Sequence, residues 1–146
     1  MITLPAAALE RIREHAQDAY PRECCGALIG RVSHNHGASK EVVRAVALAN
    51  ATPEMSERRY LIPGDTVLEI GRAAEHDGLE VVGFYHSHPD HRPEPSRLDC
   101  EEAWPWYTYL IIGSRSDSAG PARAWQLEDD GLQFAEEELT IVGEDT

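Results

Sequence analysis

Apolar side chains recur every three to four residues from position 6 to position 20. Ala8, Leu9, Ile12, Ala16 and Ala19 fall on one face, and this spacing predicts an amphipathic helix. Pro5 suits its first turn and Pro21 lies beyond its end. A short apolar run with two glycines, residues 24–32, predicts a buried strand. The turn-rich residues 33–39 predict a hairpin loop, and residues 42–49 the returning strand. Residues 59–62 predict a short third strand. Pro63-Gly64-Asp65-Thr66 opens a second helix that runs to about His76 and stops at Gly78. Residues 79–85, β-branched and aromatic, predict another strand. Pro89, Pro93 and Pro95 make residues 86–95 a stiff, exposed loop, with a short helix starting near Ser96. Residues 107–112 read as the central strand, followed by strands at 122–127 and 132–134. Strands broken by two or three helices, some joined by hairpins, predict an α/β fold: a mixed β-sheet flanked by helices. No repeat or linker interrupts the chain. The expectation is one domain over residues 1–146, with an acidic tail from about residue 136 that frays.

Composition narrows the classes. A hydrophobic fraction of 42% over 146 residues supports a globular core and argues against disorder. No apolar run approaches the roughly 18–20 residues of a membrane span. Met1-Ile2-Thr3-Leu4-Pro5 lacks a basic region followed by an apolar stretch, so the chain reads as cytoplasmic. The charge balance changes the picture most. Acidic residues number 26 against 13 basic ones, a formal charge of -13, and Lys40 is the only lysine. Such a surface repels phosphate backbones and anionic lipid, which disfavours nucleic acid and membranes as partners. It suits either a basic partner or a salt-rich cytoplasm that screens self-repulsion, and the second reading is favoured. Cys24, Cys25 and Cys100 form neither a disulfide framework nor paired C-x-x-C ligands, and read as small buried hydrophobes.

The candidate chemistry lies between His86 and Asp99. His86 and His88 are two apart at the end of a strand, so both imidazoles point to one face while Ser87 points away. A catalytic zinc site has three protein ligands and one open position, and Asp99 can supply the third ligand from the first turn of the following helix. Zinc-bound water has a pKa of about 7, which makes a nucleophile at neutral pH. Such chemistry also needs a general base and an oxyanion donor. Ser96, three residues before Asp99, shares its helical turn. Glu23, at the entrance to the first buried strand, is a candidate base, but the strand assignment alone does not choose it over Glu41 or Glu80.

His-x-His, seven residues, Ser, two residues and Asp, with a Glu before a buried strand, resembles the signature of the JAMM (MPN-plus) zinc metalloprotease family. The stretch Pro21-Arg22-Glu23-Cys24-Cys25-Gly26-Ala27-Leu28-Ile29-Gly30 is similar to the first strand of its prokaryotic members. The resemblance runs from about residue 2 to residue 135. It implies His86, His88 and Asp99 as ligands of one Zn²⁺ per chain, Glu23 as general acid/base and Ser96 as oxyanion stabiliser. It implies a three-layer α/β fold related to the cytidine deaminases. It also implies a peptidase or isopeptidase acting on the C-terminal tail of a ubiquitin-like or sulfur-carrier protein, since the chain has little room for insertions that grip ubiquitin chains. Trp104 and Trp106 are candidate walls for that tail. A non-catalytic MPN-type scaffold with a structural metal is the alternative. A zinc deaminase does not fit, because no His-x-Glu with Pro-Cys-x-x-Cys is present.

Neither half of the motif is persuasive alone. His34-Asn35-His36 repeats the histidine spacing among turn residues with no acid placed like Asp99, and reads as a solvated turn. Ser96-x-x-Asp99 is also a helix-capping pattern. His15 and His76 read as surface residues on helices, His91 as an exposed loop residue, and Trp104, Trp106 and Trp125 as packing residues in preference to substrate walls.

Overall fold

The computed structural model describes residues 1–34, 39–50, 62–97, 99 and 103–143. The elements run β1 (Ile2–Pro5), α1 (Ala6–Ala19), β2 (Cys25–Ser33), β3 (Ser39–Leu48), α2 (Gly64–His76), β4 (Glu80–Pro89), β5 (Thr108–Ser114), β6 (Ala119–Leu127), β7 (Phe134–Glu137) and β8 (Leu139–Val142). A further helical turn carries Arg97 and Asp99. The strands form one mixed sheet in the order β7-β6-β5-β4-β2-β3-β1-β8. β4 and β5 are parallel, whereas β2 pairs antiparallel with β3 and β4.

β7 and β8 stand at opposite ends of this order, yet Glu138 alone separates them in the chain. The sheet therefore curls until its ends meet. α1 lies inside the curl, touching β1, β3, β4, β5, β6 and β8. Ala8, Ile12 and Ala16, spaced four apart, are its buried stripe and pack with Ile2, Leu4, Leu28, Val82, Tyr85 and Leu110. Ala74 of α2 packs on the other face, with Ala27, Ile29, Val81, Phe84 and Tyr109. Leu28 thus faces α1 while its neighbours Ala27 and Ile29 face α2, as the two-residue strand period requires. Each fully buried Leu or Ile contributes roughly 1.5–3 kcal/mol, so both faces are strongly specified. α2 ends in a Schellman motif: Leu79 N–H reaches the Ala74 carbonyl at 2.8 Å, and Gly78 N–H reaches that of Glu75 at 3.0 Å. Gly78 takes φ +73, which an L side chain rarely adopts.

A bulge in β4 decides which face the histidines take. Leu28 pairs with Gly83 and Ile29 with Val81, so Val82 is an extra residue. Beyond it Phe84 faces α2 and Tyr85 faces α1, which puts His86 and His88 on the α2 side. Tyr85 packs against Gly26, where an added Cβ would lie 2.1 Å from its ring.

Several expectations are corrected. β4 continues through His86, Ser87, His88 and Pro89, because β5 pairs with it as far as Ser114; the irregular loop starts only at Asp90. Pro89 is tolerated as the last strand residue, where the ladder ends. The tail from 136 does not simply fray: Glu136 and Glu137 finish β7, and Leu139–Val142 pairs with β1. β1 and β8 are too short for periodicity to reveal. Residues 35–38, Cys100 and most of the strand expected at 59–62 lie outside the described residues, and Ile62 is not in a strand. No helix among the described residues is long and apolar enough to cross a membrane.

Candidate metal centre

The register of β2 on β4 builds the site. Cys25 pairs with His86, and continuing two residues puts Glu23 opposite His88 on the same face. Ser87, pointing the other way, locks the pairing: its Oγ accepts Cys24 N–H at 2.8 Å, and its N–H donates to the Cys24 carbonyl at 3.1 Å. Asn50 Nδ2 donates to the Glu23 carbonyl at 3.2 Å. The sequence marks Ser87 only as a residue pointing away; its tie to Cys24 needs the sheet register.

His86 is fully buried and His88 nearly so. Their Nε2 atoms lie 3.3 Å apart, and Asp99 brings Oδ1 to 3.2 Å from His86 Nε2 and Oδ2 to 3.0 Å from His88 Nε2. Ligating atoms of these three residues all lie within 4.8 Å of one another. Four ligands at about 2.0–2.1 Å around a tetrahedral zinc ion are roughly 3.3 Å apart, so the donor set fits such an ion. The tautomer fits as well. His88 Nδ1 lies 3.0 Å from the Arg92 carbonyl, which can only accept, so Nδ1 carries the proton and neutral Nε2 presents its lone pair to the cluster.

The electrostatics of the metal-free cluster follow from burial and ion pairing. Burial lowers the His86 pKa, with Asp99 opposing. Burial also acts to lower that of His88, but the hydrogen bond and charge of Asp99 outweigh it and the net shift is upward. Burial acts to raise the Asp99 pKa, yet His86, His88 and the Ser96 N–H hold its carboxyl well below the usual carboxylate range. Glu23, 5% exposed, is pushed by burial up to about 8, with His88 opposing and Asp99 reinforcing. Its Oε1 is buried without a hydrogen-bond partner among the described residues. A buried carboxyl whose pKa is raised toward neutral pH, opposite a histidine, is a candidate for proton transfer.

Ser96 and Asp99 exchange hydrogen bonds in the capping pattern, and Ser96 stays exposed at the rim. Glu23, His88 and Ser96 line an open groove of about 1120 Å³ that runs between the proline loop and the β5–β6 turn. Of the three carboxylates open as candidate bases, Glu23 alone lines it: Glu80 begins β4 at the far end, and Glu41 pairs with Arg31 at 3.3 Å. His91 also lines the groove.

Trp104 and Trp106 do not line it. Trp106 precedes the start of β5, where Thr108 pairs with Gly83, five residues before His88. At about 3.3 Å per residue that is some 16 Å from the ligands. Trp125 is a packing residue whose Nε1 anchors the proline loop through the Pro93 carbonyl at 3.0 Å. His15 is half-buried rather than fully at the surface: its Nδ1 lies 2.7 Å from the Tyr85 hydroxyl, because α1 packs inside the curled sheet. His76 is exposed on α2. Burial pushes the Cys24 and Cys25 thiols up to about 11 and about 12, consistent with small buried hydrophobes.

Two strand-borne histidines and an aspartate at a helix start, beside a buried glutamate, form a cluster on a curled α/β sheet that could hold a metal ion. Residues 5–128 match the family model of prokaryotic homologs of the JAB domain, and the chain belongs to that family. It is 38% identical over 129 residues to a desampylase from Haloferax volcanii, covering 85% of this chain and 87% of that one. It is 32% identical over 114 residues to a probable TtuB-protein conjugate cleaving protease from Thermus thermophilus, covering 78% and 71%. A solved structure from Desulfitobacterium hafniense aligns with a TM-score of 0.83 at 28% identity, over 99% of this chain and 94% of that one. A JAB1/MPN domain protein from Archaeoglobus fulgidus shares the fold, with a TM-score of 0.57 at 19% identity over 98% of this chain and 100% of that one.

Proposed function

We propose that this chain is a zinc-dependent peptidase or isopeptidase that hydrolyses an amide bond at the C-terminal tail of a ubiquitin-like or sulfur-carrier protein. The observation that carries the reading is the convergence of His86, His88 and Asp99 beside the buried Glu23 at the head of an open groove. The two relatives, a desampylase and a probable conjugate-cleaving protease, support the reaction class and the protein substrate. The acidic surface supports a protein partner over nucleic acid or membrane, and a cytoplasmic setting.

His86, His88 and Asp99 hold one Zn²⁺. Zinc so held supplies Lewis-acid polarisation of the scissile carbonyl and activation of water. Glu23 takes the proton of the attacking water and passes it to the leaving amine, and burial moves its pKa toward the working pH, as a group that both accepts and returns a proton needs. The Ser96 hydroxyl, which accepts the Asp99 N–H through its oxygen, keeps its own proton for the developing oxyanion. The helices on opposite faces of the sheet support a three-layer, cytidine deaminase-like description of one domain spanning residues 1–146. A non-catalytic MPN-type scaffold around a structural metal gives no reason for a carboxyl buried next to the ligands and open to a groove.

The test is incubation of the purified protein, with and without chelator, with ubiquitin-like carriers bearing extended C-termini. Mass spectrometry should find cleavage at the carrier's C-terminal tail that chelator abolishes and zinc restores. Intact carriers in every arm, with zinc bound stoichiometrically, would favour the scaffold.

A further inference from the structure

His88 is followed by a reverse turn. The His91 N–H donates to the His88 carbonyl at 3.2 Å, with Pro89 and Asp90 in the central positions. Pro89 is pre-set for the first of these, and the second takes φ +60 at Asp90, a left-handed conformation that Asp tolerates better than most side chains but less readily than glycine. Support comes from two distant elements. Asp90 N–H donates to the Ser114 carbonyl at the end of β5 at 2.6 Å. The Tyr20 hydroxyl, from the residue capping α1, donates to Asp90 Oδ2 at 2.7 Å across 70 positions of sequence. This turn folds the chain back so that the Arg92 carbonyl reaches His88 Nδ1.

We propose that Tyr20 and Asp90 are positioning residues for the metal centre: their hydrogen bond holds the left-handed turn that delivers the Arg92 carbonyl to His88 and so orients its Nε2. The inference rests on the reading of His88 as a ligand. Partners in the outer shell of a ligating histidine typically alter metal affinity about 10–100-fold, and a residue acting one step further out belongs at the lower end of that range.

The experiment is a zinc titration of the full chain against a chromogenic chelator, combined with NMR of the His88 Nδ1 proton in metal-free protein. Tyr20→Phe and Asp90→Ala should each weaken zinc binding up to about tenfold and speed exchange of that proton. Glycine enters the left-handed region without help, so Tyr20→Phe/Asp90→Gly should recover both zinc affinity and slow exchange. A merely structural tie predicts no such rescue. Wild-type zinc affinity and proton exchange in Tyr20→Phe and Asp90→Ala, or failure of glycine to rescue, would overturn the proposal. Failure of the wild type to bind zinc would sink the ligand assignment instead, and the proton-exchange arm would still decide whether Tyr20 and Asp90 hold the turn.

Discussion

Ser96 and Asp99 each satisfy the other's backbone: Ser96 N–H donates to Asp99 Oδ2 at 2.8 Å, and Asp99 N–H donates to Ser96 Oγ at 3.0 Å. The Ser96 hydroxyl accepts in this cap and keeps its proton, so the cap is compatible with the proposed chemical role. Ser96→Ala should cost about 1 kcal/mol through the lost cap. It should also lower kcat about 10²–10³-fold through the lost oxyanion donor. Ser96→Thr, which keeps the hydroxyl, should spare both. Denaturant unfolding and steady-state kinetics separate the two effects, and unchanged kcat in Ser96→Ala would reduce Ser96 to a cap.

The same Asp99 Oδ2 that caps the helix also faces His88 Nε2, and its Oδ1 faces His86. Removing either His88 or Asp99 leaves two protein ligands, below the three of a catalytic zinc site. His88→Ala and Asp99→Ala should each lose zinc affinity by more than the 10–100-fold typical of an outer-shell change. Metal content after dialysis, measured by mass spectrometry of the native protein, checks this, and full occupancy in both variants would remove the site.

Glu23 is buried, and burial pushes its pKa from 4.5 up to about 8. Between these values the unfolded chain has released the proton that the folded chain still holds. The stability contributed by Glu23 is therefore fully present below pH 4.5 and is lost as pH rises through about 8. Glu23→Gln removes this dependence. In metal-free protein the variant should melt near the wild type at pH 4.5 and increasingly above it toward pH 8, by calorimetry. The same variant should retain stoichiometric zinc and lose about 10²–10⁴-fold in turnover. A Glu23→Gln variant that is no more stable at pH 8 than the wild type would show that the carboxyl is not held protonated.

How much of this is legible in the sequence depends on the range of the signal. The helix at 6–19, the strand pair β2–β3 and the stop at Gly78 are local patterns, and periodicity and turn chemistry reveal them. His86, His88, Ser96 and Asp99 lie within 14 residues and share a recognisable spacing, so the candidate site is legible too. Glu23 is not separable from Glu41 or Glu80 without the resemblance, because only the β2–β4 register puts it opposite His88. The prolines announce irregular chain four residues too early, since β5, far along the sequence, extends β4 by pairing. Long-range bonds escape entirely: Tyr20 to Asp90, His15 to Tyr85, and β8 to β1 join residues that no local pattern connects.

Lys40 is the last of these hidden features. The chain's sole lysine is 4% exposed, although lysine is almost never fully buried unless paired. From β3 it reaches across the curled sheet to the Trp106 carbonyl and to Thr108 Oγ1 at 2.9 Å, with its ammonium 4.6 Å from the Trp106 ring centre. Thr108 donates onward to Glu137 Oε1 at 2.7 Å, and the Met1 amino group lies 3.2 Å from Glu137 Oε2. The network ties β3, β5 and β7 where the ends of the sheet meet, on the far side from the ligands. Burial lowers the Lys40 pKa, and the charge of Glu137 opposes the shift. Replacing Lys40 removes its hydrogen bonds to the Trp106 carbonyl and to Thr108, and a hydrogen bond to a charged group contributes about 1.5–3 kcal/mol. Lys40→Met should therefore shift the urea midpoint downward, whereas Lys40→Arg, which keeps a charged donor, should lose less. Zinc content of the folded fraction should not change in either variant. An unchanged urea midpoint for Lys40→Met would show that curl closure rests on the apolar packing around α1 alone.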